Sequence, residues 1–376
     1  MKKIKVIYNC SVNVVGGAVQ NAVNFIKKVE TTEQNDFLFY YLLSHAVYKQ
    51  VKDIIRDENC SVVSSPAKSY KSRLEIKKIV KNLNPDIVYT NAGPAYVDFD
   101  CYHIMGCSNP YLLAPSKYAL QLDNNLLERF KRALHSYYQA HYIKYADAYI
   151  FQTLNSKIAF EKKNTCIDSF IVSNAISESF LSATFETQVN EGTIKLLVPS
   201  AYYKHKNLAL TVHALNLLEI NETVKYSLSF TLKKEDFEAH IQPLVEFYGL
   251  HDVVKNVGPY NHENASELYA SHDIFIQPSV LEVFSTTYLE AIATGKPLVA
   301  SNLPFATEIC EDYACYFEPD SAASLANAVL ECSNCDSVTD DKKAMSERIL
   351  HNYGSQEERT NNLLNILRKV GKNVRQ

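Results

Sequence analysis

The chain has no long apolar run. Its longest aliphatic and aromatic stretch, Phe37 to Leu43, is far too short to span a bilayer. It also has no large excess of charge of either sign. Lys plus Arg number 38 and Asp plus Glu 42, a formal net charge of −4, which excludes a nucleic-acid binder working through a global basic surface and leaves only local basic patches. The opening, MKKIKVIYNCSVNVV, has a basic start, but its apolar residues are interrupted by Lys5, Asn9 and Asn13, against the reading of a signal peptide. It reads as a first strand, and the expectation is a cytoplasmic chain. Low-complexity tracts and short repeats are absent. Nine cysteines, an odd number spread over 376 residues, do not form a disulfide framework and fit reduced thiols. Cys310, Cys315, Cys332 and Cys335 fall close together, the last two as Cys-x-x-Cys, which offers a zinc reading. No ribbon pattern surrounds them, and small buried thiols are the stronger account.

What is present is a globular composition, 47% apolar and 21% charged, on a length that suits two domains with a core each. Short apolar runs alternate with amphipathic helical patterns throughout. Expected strands are 4–8, 37–43, 61–64, 86–90, 103–107, 148–152 and 168–172 in the first half. In the second half they are 194–199, 226–231, 253–257, 273–277, 297–300 and 315–317. Strands alternating with helices imply parallel sheets with right-handed crossovers. The expected division is a Rossmann-like domain over 1–176, a polar linker over 177–192, a second Rossmann-like domain over 193–354, and a C-terminal helix over 355–376 with Leu363, Leu364, Ile366, Leu367 and Val370 on its apolar face. Two such halves put a cleft between the domains, with strand carboxyl ends facing it.

The most informative stretch runs from Asp273 to Asn302, DIFIQPSVLEVFSTTYLEAIATGKPLVASN. Two buried strands flank a helix that starts near Ser285 or Thr286, where a hydroxyl can cap, and stops at Gly295 before Pro297. A helix N-terminus after a strand's carboxyl end carries free amides and a positive dipole end, which favour a phosphate. Glu282 precedes that turn and Glu290 lies about a turn and a half inside it.

This Glu-x7-Glu, with Pro278-Ser279 before it, Phe284 inside it, Ala291 after it and Gly295-Lys296-Pro297 beyond, resembles the donor-binding signature of retaining GT4-type (group 1) glycosyltransferases of the GT-B fold, bacterial surface-polysaccharide type. One departure is plain: Val283 stands where the family usually has Gly. The resemblance covers nearly the whole chain, more strongly in the second half. It implies a metal-independent transferase with no cofactor. The enzyme would move a hexose or N-acetylhexosamine from a nucleotide-diphosphate sugar, UDP favoured over GDP, to a polyprenyl-diphosphate-linked saccharide in O-antigen or capsule synthesis. Glu282 and Lys206 would be catalytic, Glu282 holding the donor sugar and Lys206 the diphosphate, with Glu290 on the ribose.

Other residues follow from position and resemblance together. Gly16-Gly17 after the first strand lets a ligand approach the backbone, as in the family's donor-phosphate loop. Lys204, His205 and Lys206 crowd cations just before a helix from about Leu208, against its dipole, which suggests an anion between them. The family's usual Arg is Ala201 here, so Lys204 or His205 substitutes or the diphosphate is held less strongly. The implied donor set is Gly16, Gly17, Ser200, Lys206, Tyr260, Glu282, Phe284, Ser285, Thr286 and Glu290, with Glu308 on the nucleotide side. Asn91, Ser108 and Asn109 stand on the acceptor side, while His103 reads as structural. Asp98-x-Asp100 matches the metal pair of the other large glycosyltransferase fold and is set aside because Glu-x7-Glu is present. A basic, aromatic-rich helical segment over 120–145 is either a core helix with a solvated face or a peripheral contact with the inner membrane. A nucleotide-sugar epimerase or hydrolase of the same fold, or a non-catalytic nucleotide-sugar binder, are the rival functions. The sugar, the linkage and the oligomeric state are not readable.

Overall fold

The computed structural model describes residues 2–375 except 33–34, 114, 123–124, 165–167, 186–191, 221–223, 261–264 and 335–339. The chain divides into two compact units, one of 1–114, 125–174 and 356–376, the other of 115–124 and 175–355.

In the first unit seven strands form one parallel sheet: β1 (Ile4–Cys10), β2 (Phe37–Leu43), β3 (Cys60–Val62), β4 (Ile87–Thr90), β5 (Tyr102–Gly106), β6 (Ala148–Phe151) and β7 (Asp168–Ile171). Six more make the parallel sheet of the second: β8 (Thr193–Val198), β9 (Lys225–Phe230), β10 (Val254–Asn256), β11 (Ile274–Gln277), β12 (Leu298–Ser301) and β13 (Cys315–Phe317). The helices that matter most for function are α1 (Gly17–Thr31), α2 (Tyr70–Leu83), α3 (Leu126–Ile143), α4 (Ala209–Glu219), α5 (Ala265–Ala270), α6 (Thr286–Ala293) and α7 (Gln356–Val374).

Strand order decides where ligands can go. The orders are β3-β2-β1-β4-β5-β6-β7 and β10-β9-β8-β11-β12-β13. Each sheet therefore reverses its winding once, between β1 and β4 and between β8 and β11. In open α/β sheets the crevice beyond the strand carboxyl ends at such a reversal is where ligands bind, because the two connecting loops part there. Gly16-Gly17 follow β1 and Asn91 follows β4. Lys206 follows β8 and Glu282 follows β11.

Strands buried on both faces carry bulky side chains toward helices on each side. In the first unit Tyr8 packs on Phe25 of α1 and on Tyr89, with ring centroids 4.5 and 5.3 Å apart. The apolar stripe of α7, Leu363, Leu364, Leu367 and Val370, completes that core. Arg368 of α7 reaches Asp36 at 2.7 Å, and Arg375 pairs with Asp86 at 2.5 Å. In the second unit α4 and the residues of 322–332 bury one face of the sheet, while α6 and 306–314 bury the other.

The segment expected as one helix over 120–145 is two. A short helix, Lys117–Gln121, belongs to the second unit and α3 to the first. Asn125 starts α3 afresh, its side-chain oxygen accepting from the Glu128 amide at 2.8 Å.

Two glycines are fixed by geometry. Gly16 caps α1 at φ +68°, a backbone region that costs L-residues about 1 kcal/mol or more. Gly106, the last residue of β5, has no room for a side chain: a Cβ there would lie 2.0 Å from the Asn91 carbonyl oxygen. Backbone cannot yield as a flexible side chain can, so Gly106→Ala is expected to destabilise by more than about 3 kcal/mol. Chemical denaturation measures this, and a loss under about 1 kcal/mol would mean the β4 and β5 loops are free to part.

Candidate functional site

The loop after β8 reverses through a single 3-10 turn, Lys204–Lys206, closed by Asn207 in the left-handed region at φ +51°. Asn tolerates that conformation because its short amide bonds locally; here the side chain donates to the Pro319 carbonyl at 3.0 Å. The turn aims Lys206 across the winding reversal at the loop after β11. There its ammonium lies 2.6 Å from Glu282 Oε1, with the two side chains 14% and 13% exposed. The contact is one of charge, since Oε1 has no partner at a hydrogen-bonding angle. Two further bonds fix the loop: the Val280 amide donates to the His205 carbonyl at 2.8 Å, and Ser116 Oγ donates to the Val280 carbonyl at 2.5 Å. Val280 and Leu281 are themselves buried. Glu282 is therefore held from its own strand, from the Lys206 turn and from the short 117–121 helix.

Val283 replaces the expected glycine without strain. It is buried and is not among the residues with positive φ, so this loop needs no left-handed residue there.

α6 begins just beyond. Ser285 is its cap position, with extended backbone, yet its hydroxyl bonds Thr287 Oγ1 at 2.6 Å and does not cap the first turn. The capping role expected of that hydroxyl is thus corrected, and the first-turn amides keep their capacity for an anion. Phe284 points into the core, packing edge-on against Tyr353 at 5.3 Å, so at this position the backbone rather than the ring is available to a ligand.

Glu290 is 4% exposed and accepts from Tyr269 Oη of α5 at 2.8 Å. Burial raises its carboxyl to about 7, partly offset by the Tyr269 and Thr286 hydroxyls. Tyr260 stands edge-on to Tyr269 at 6.3 Å, and burial pushes its phenol well up, with the Glu290 charge adding to the rise. Glu290, Thr286, Tyr269 and Tyr260 thus form one group. Ser200 spends its groups locally, its amide donating to Thr231 Oγ1 at 2.9 Å and its hydroxyl to the Ala201 carbonyl at 2.9 Å.

Three residues outside the expected donor set join this edge. Gln277 Nε2, Ser279 Oγ and Ser301 Oγ are buried without hydrogen-bond partners. Gln277 and Ser301 end the paired strands β11 and β12, whose register sets Gln277 against Ala300. Buried polar atoms left unpaired are rare, and their grouping at the carboxyl ends of β11 and β12 marks a place where a polar ligand belongs. Their position at strand ends is a usable signal. Tyr269, in a chain with 25 tyrosines, has none.

His205 faces Glu282 and Lys206. Burial lowers its ring below the usual histidine range, with the Glu282 charge opposing. Lys204 is exposed. Of the two substitutes considered for the absent Arg at Ala201, the structure sets His205 beside the pair.

In the first unit Asn91 Nδ2 donates to the Ala18 carbonyl at 3.1 Å, tying the β4 loop to the start of α1 beside Gly17. Asn109 donates to Gln139 Oε1 at 2.7 Å. A cavity of about 400 Å³ opens between these loops, lined among others by Val12, Lys68, Pro94, Tyr96 and Gln139. Tyr96 holds φ +57°, a strained value for an aromatic residue, with its ring 5.4 Å from the Arg73 guanidinium. Ser108 is half-buried and does not line the cavity. His103 is buried: Nδ1 donates to the Tyr145 carbonyl at 2.7 Å and Nε2 accepts from Thr90 Oγ1 at 2.9 Å, with burial lowering its pKa to about 4. It is a neutral structural link. Asp98 is exposed and Asp100 lies 3.7 Å from Lys77 Nζ. Cys310 is fully buried, Cys315 and Cys332 touch, and Cys335 lies outside the described residues. Among the described residues no three His, Cys, Asp or Glu side chains are placed to hold a metal. Glu308 is a partly exposed residue of the 304–310 helix, its carbonyl accepting from Tyr353 Oη at 3.3 Å.

Comparison with known proteins points the same way. Residues 182–350 match the family model described as glycosyl transferases group 1. The O-antigen chain mannosyltransferase RfbU of Salmonella typhimurium is 25% identical over 133 residues, 35% of this chain and 36% of that protein. The lipopolysaccharide core biosynthesis mannosyltransferase LpsB of Rhizobium meliloti is 37% identical over 73 residues, 19% of this chain and 20% of its own length. The matches thus span about a third or less of these relatives. Among solved structures, a glycosyltransferase from Rickettsia africae superposes with TM-score 0.74 at 18% identity, covering 99% of this chain and 100% of its own. Anabaena Alr3699/HepE, in complex with UDP and glucose, gives 0.67 at 15%, covering 97% and 99%. Likeness over nearly the whole chain establishes the fold: α/β, two parallel-sheet domains of the GT-B type.

Proposed function

We propose that this chain is a group 1 glycosyltransferase that takes a hexose or N-acetylhexosamine from a nucleotide-diphosphate sugar, UDP-linked in preference to GDP-linked. The acceptor is a polyprenyl-diphosphate-linked saccharide of surface-polysaccharide synthesis. The observation that carries the reading is the Lys206–Glu282 pair at 2.6 Å, set at the winding reversal of the second sheet beside an uncapped helix start. A cation and free amides suit a diphosphate, and a carboxylate beside them suits sugar hydroxyls. The names of the relatives support a hexose and a surface polysaccharide, and the UDP complex of a fold neighbour supports the nucleotide.

The chemistry is then a displacement at the donor's anomeric carbon with retention. The C1–O bond to the β-phosphate breaks while the acceptor hydroxyl oxygen bonds C1 from the same face. The acceptor's proton passes to the departing phosphate oxygen. Lys206 and the α6 amides near Phe284 to Thr286 stabilise the charge that develops there, a role that needs no metal. Glu282 holds the sugar and Glu290 accepts from the ribose. In the second unit Tyr260 and Ser200 flank the nucleotide; in the first, Gly16 and Gly17 are the donor-phosphate loop that the resemblance implies, and Asn91, Ser108 and Asn109 are its acceptor-side residues.

The test is a panel of UDP-, GDP-, ADP- and dTDP-sugars with EDTA present, scored for thermal stabilisation and for nucleotide release. One donor should stabilise the protein, with slow release that a polyprenyl-diphosphate sugar accelerates. Rapid release without acceptor would move the reading to a hydrolase, and stabilisation without release under any acceptor to a binder.

A further inference from the structure

α3 is amphipathic the wrong way round. A surface helix ordinarily turns its apolar stripe to the core, and over 18 residues α3 buries only Ile143. Its inward face, one turn after another, is Arg132, Ser136, Gln139 and Ile143. Arg132 lies over the Tyr111 ring at 5.6 Å and Gln139 bonds Asn109 and Tyr96. Tyr142, also on the protein side, bonds Arg73 of α2 at 2.7 Å. Polar contacts therefore anchor the helix. On the opposite face Leu126 is 81% exposed, Phe130 65%, Leu134 58% and Tyr137 77%, with Leu127 at 61%. At 100° per residue these five fall within an arc of about 100°, a stripe about 17 Å long. Single exposed leucines need no explanation, but a continuous stripe of this kind marks an interaction surface.

Charge selects the occupant. Arg129 lies along one edge of the stripe and Lys131 along the other, and the helix carries a third cation, Arg132, against one acid of its own, Glu128. The helix is thus basic within a chain whose net charge is −4. A second copy packed through this face would set like-charged edges together. An anionic bilayer receives both features at once: apolar side chains sink about 5–10 Å into the boundary region and flanking cations meet the headgroups. We infer that the outward face of α3, Leu126, Leu127, Phe130, Leu134 and Tyr137 between Arg129 and Lys131, docks on the surface of an anionic lipid bilayer. The inference stands on this helix alone and does not depend on the donor site.

Co-sedimentation tests it, with vesicles of phosphatidylcholine alone and of phosphatidylcholine mixed with phosphatidylglycerol. The full chain should bind the mixed vesicles at least about tenfold more tightly than the neutral ones, and less tightly in about 1 M salt, where the Debye length is ~3 Å. Phe130→Asp with Leu134→Asp should abolish binding while leaving the melting temperature and nucleotide-sugar stabilisation unchanged, since neither side chain is buried. Glu282→Ala should do the reverse, losing the donor and keeping the vesicle, so each reading fails separately. No binding to phosphatidylglycerol vesicles at low salt overturns the inference. So does unchanged binding by the double variant, or a dimer of the native chain that the double variant splits, which would assign the face to a second copy.

Discussion

Replacing Lys206 with methionine should lower sugar transfer by at least about 10³-fold, the scale of losing a group that stabilises charge developing on a leaving oxygen. Methionine keeps the length and apolar stem of the side chain, so packing around the 204–206 turn survives and the missing charge is what the measurement reads. The change also strands Glu282, whose carboxylate is 13% exposed and has Lys206 as its cation at 2.6 Å. Breaking a buried pair from one side typically costs about 3–5 kcal/mol, and residual exposure puts this site toward the lower end. Adding Glu282→Gln to Lys206→Met should recover most of that stability, because an unpaired charge is replaced by a neutral group of the same shape. Transfer should stay absent in the double variant. Thermal unfolding of the single and double variants, alongside single-turnover nucleotide release, separates the two effects. Transfer by Lys206→Met at the native rate would remove Lys206 from the chemistry, and a double variant no more stable than the single one would mean the pair is not what holds these loops.

Much of this site is legible in the sequence because its residues sit at positions that strand and helix periodicity fixes. Every expected strand forms, since buried parallel strands read as short apolar runs closed by Gly, Pro or polar residues. Glu282 and Glu290 stand out through a spacing, and Lys206 through an electrostatic misfit, a cation at a helix start. Capping at Ser285 does not follow the pattern, because a hydroxyl two residues from Thr287 has a nearer partner than the helix amides, and propensity does not rank such competitors. The unpaired Gln277, Ser279 and Ser301 are polar residues at strand ends, but which of them lacks a partner depends on packing around them. Tyr269 carries no signal at all: its role comes from the bond it donates to Glu290, a contact between α5 and α6 that no local pattern encodes. The break between 121 and 126 is hidden for the opposite reason. Helical periodicity continues across it, and only the cap at Asn125 marks a new helix.

Glu290→Gln should make the protein more stable above neutral pH while weakening its hold on a nucleotide. Burial raises the Glu290 carboxyl to about 7, against about 4.3 for the unfolded chain. Between those values the unfolded state has lost its proton and the folded state keeps one, so stability falls as pH rises through that window. Above pH 7 the folded protein carries a buried carboxylate at a cost on the order of 3 kcal/mol, since each tenfold change in proton affinity is worth ~1.4 kcal/mol. Among the described residues the groups facing it are the hydroxyls of Tyr269 and Thr286, with the Tyr260 ring beyond, and no cation is among them. Glutamine keeps the shape, lets its amide oxygen accept from Tyr269, and removes the titration. Melting temperatures of the two proteins should therefore converge near pH 5 and separate near pH 8, with the variant higher by an amount equivalent to about 1–3 kcal/mol after imperfect amide bonding is allowed for. Nucleotide affinity should move the other way, falling about 10- to 100-fold, since a carboxylate accepting ribose hydroxyls is worth about 1.5–3 kcal/mol per charged hydrogen bond. In the native chain that affinity should rise with pH through 7, as the carboxylate the ribose needs becomes ionised, and in Glu290→Gln the rise should vanish. A variant that keeps the native pH profile of stability would show that Glu290 is already ionised in the folded chain. The destabilised carboxylate would then have no part in holding the donor site ready for its ligand.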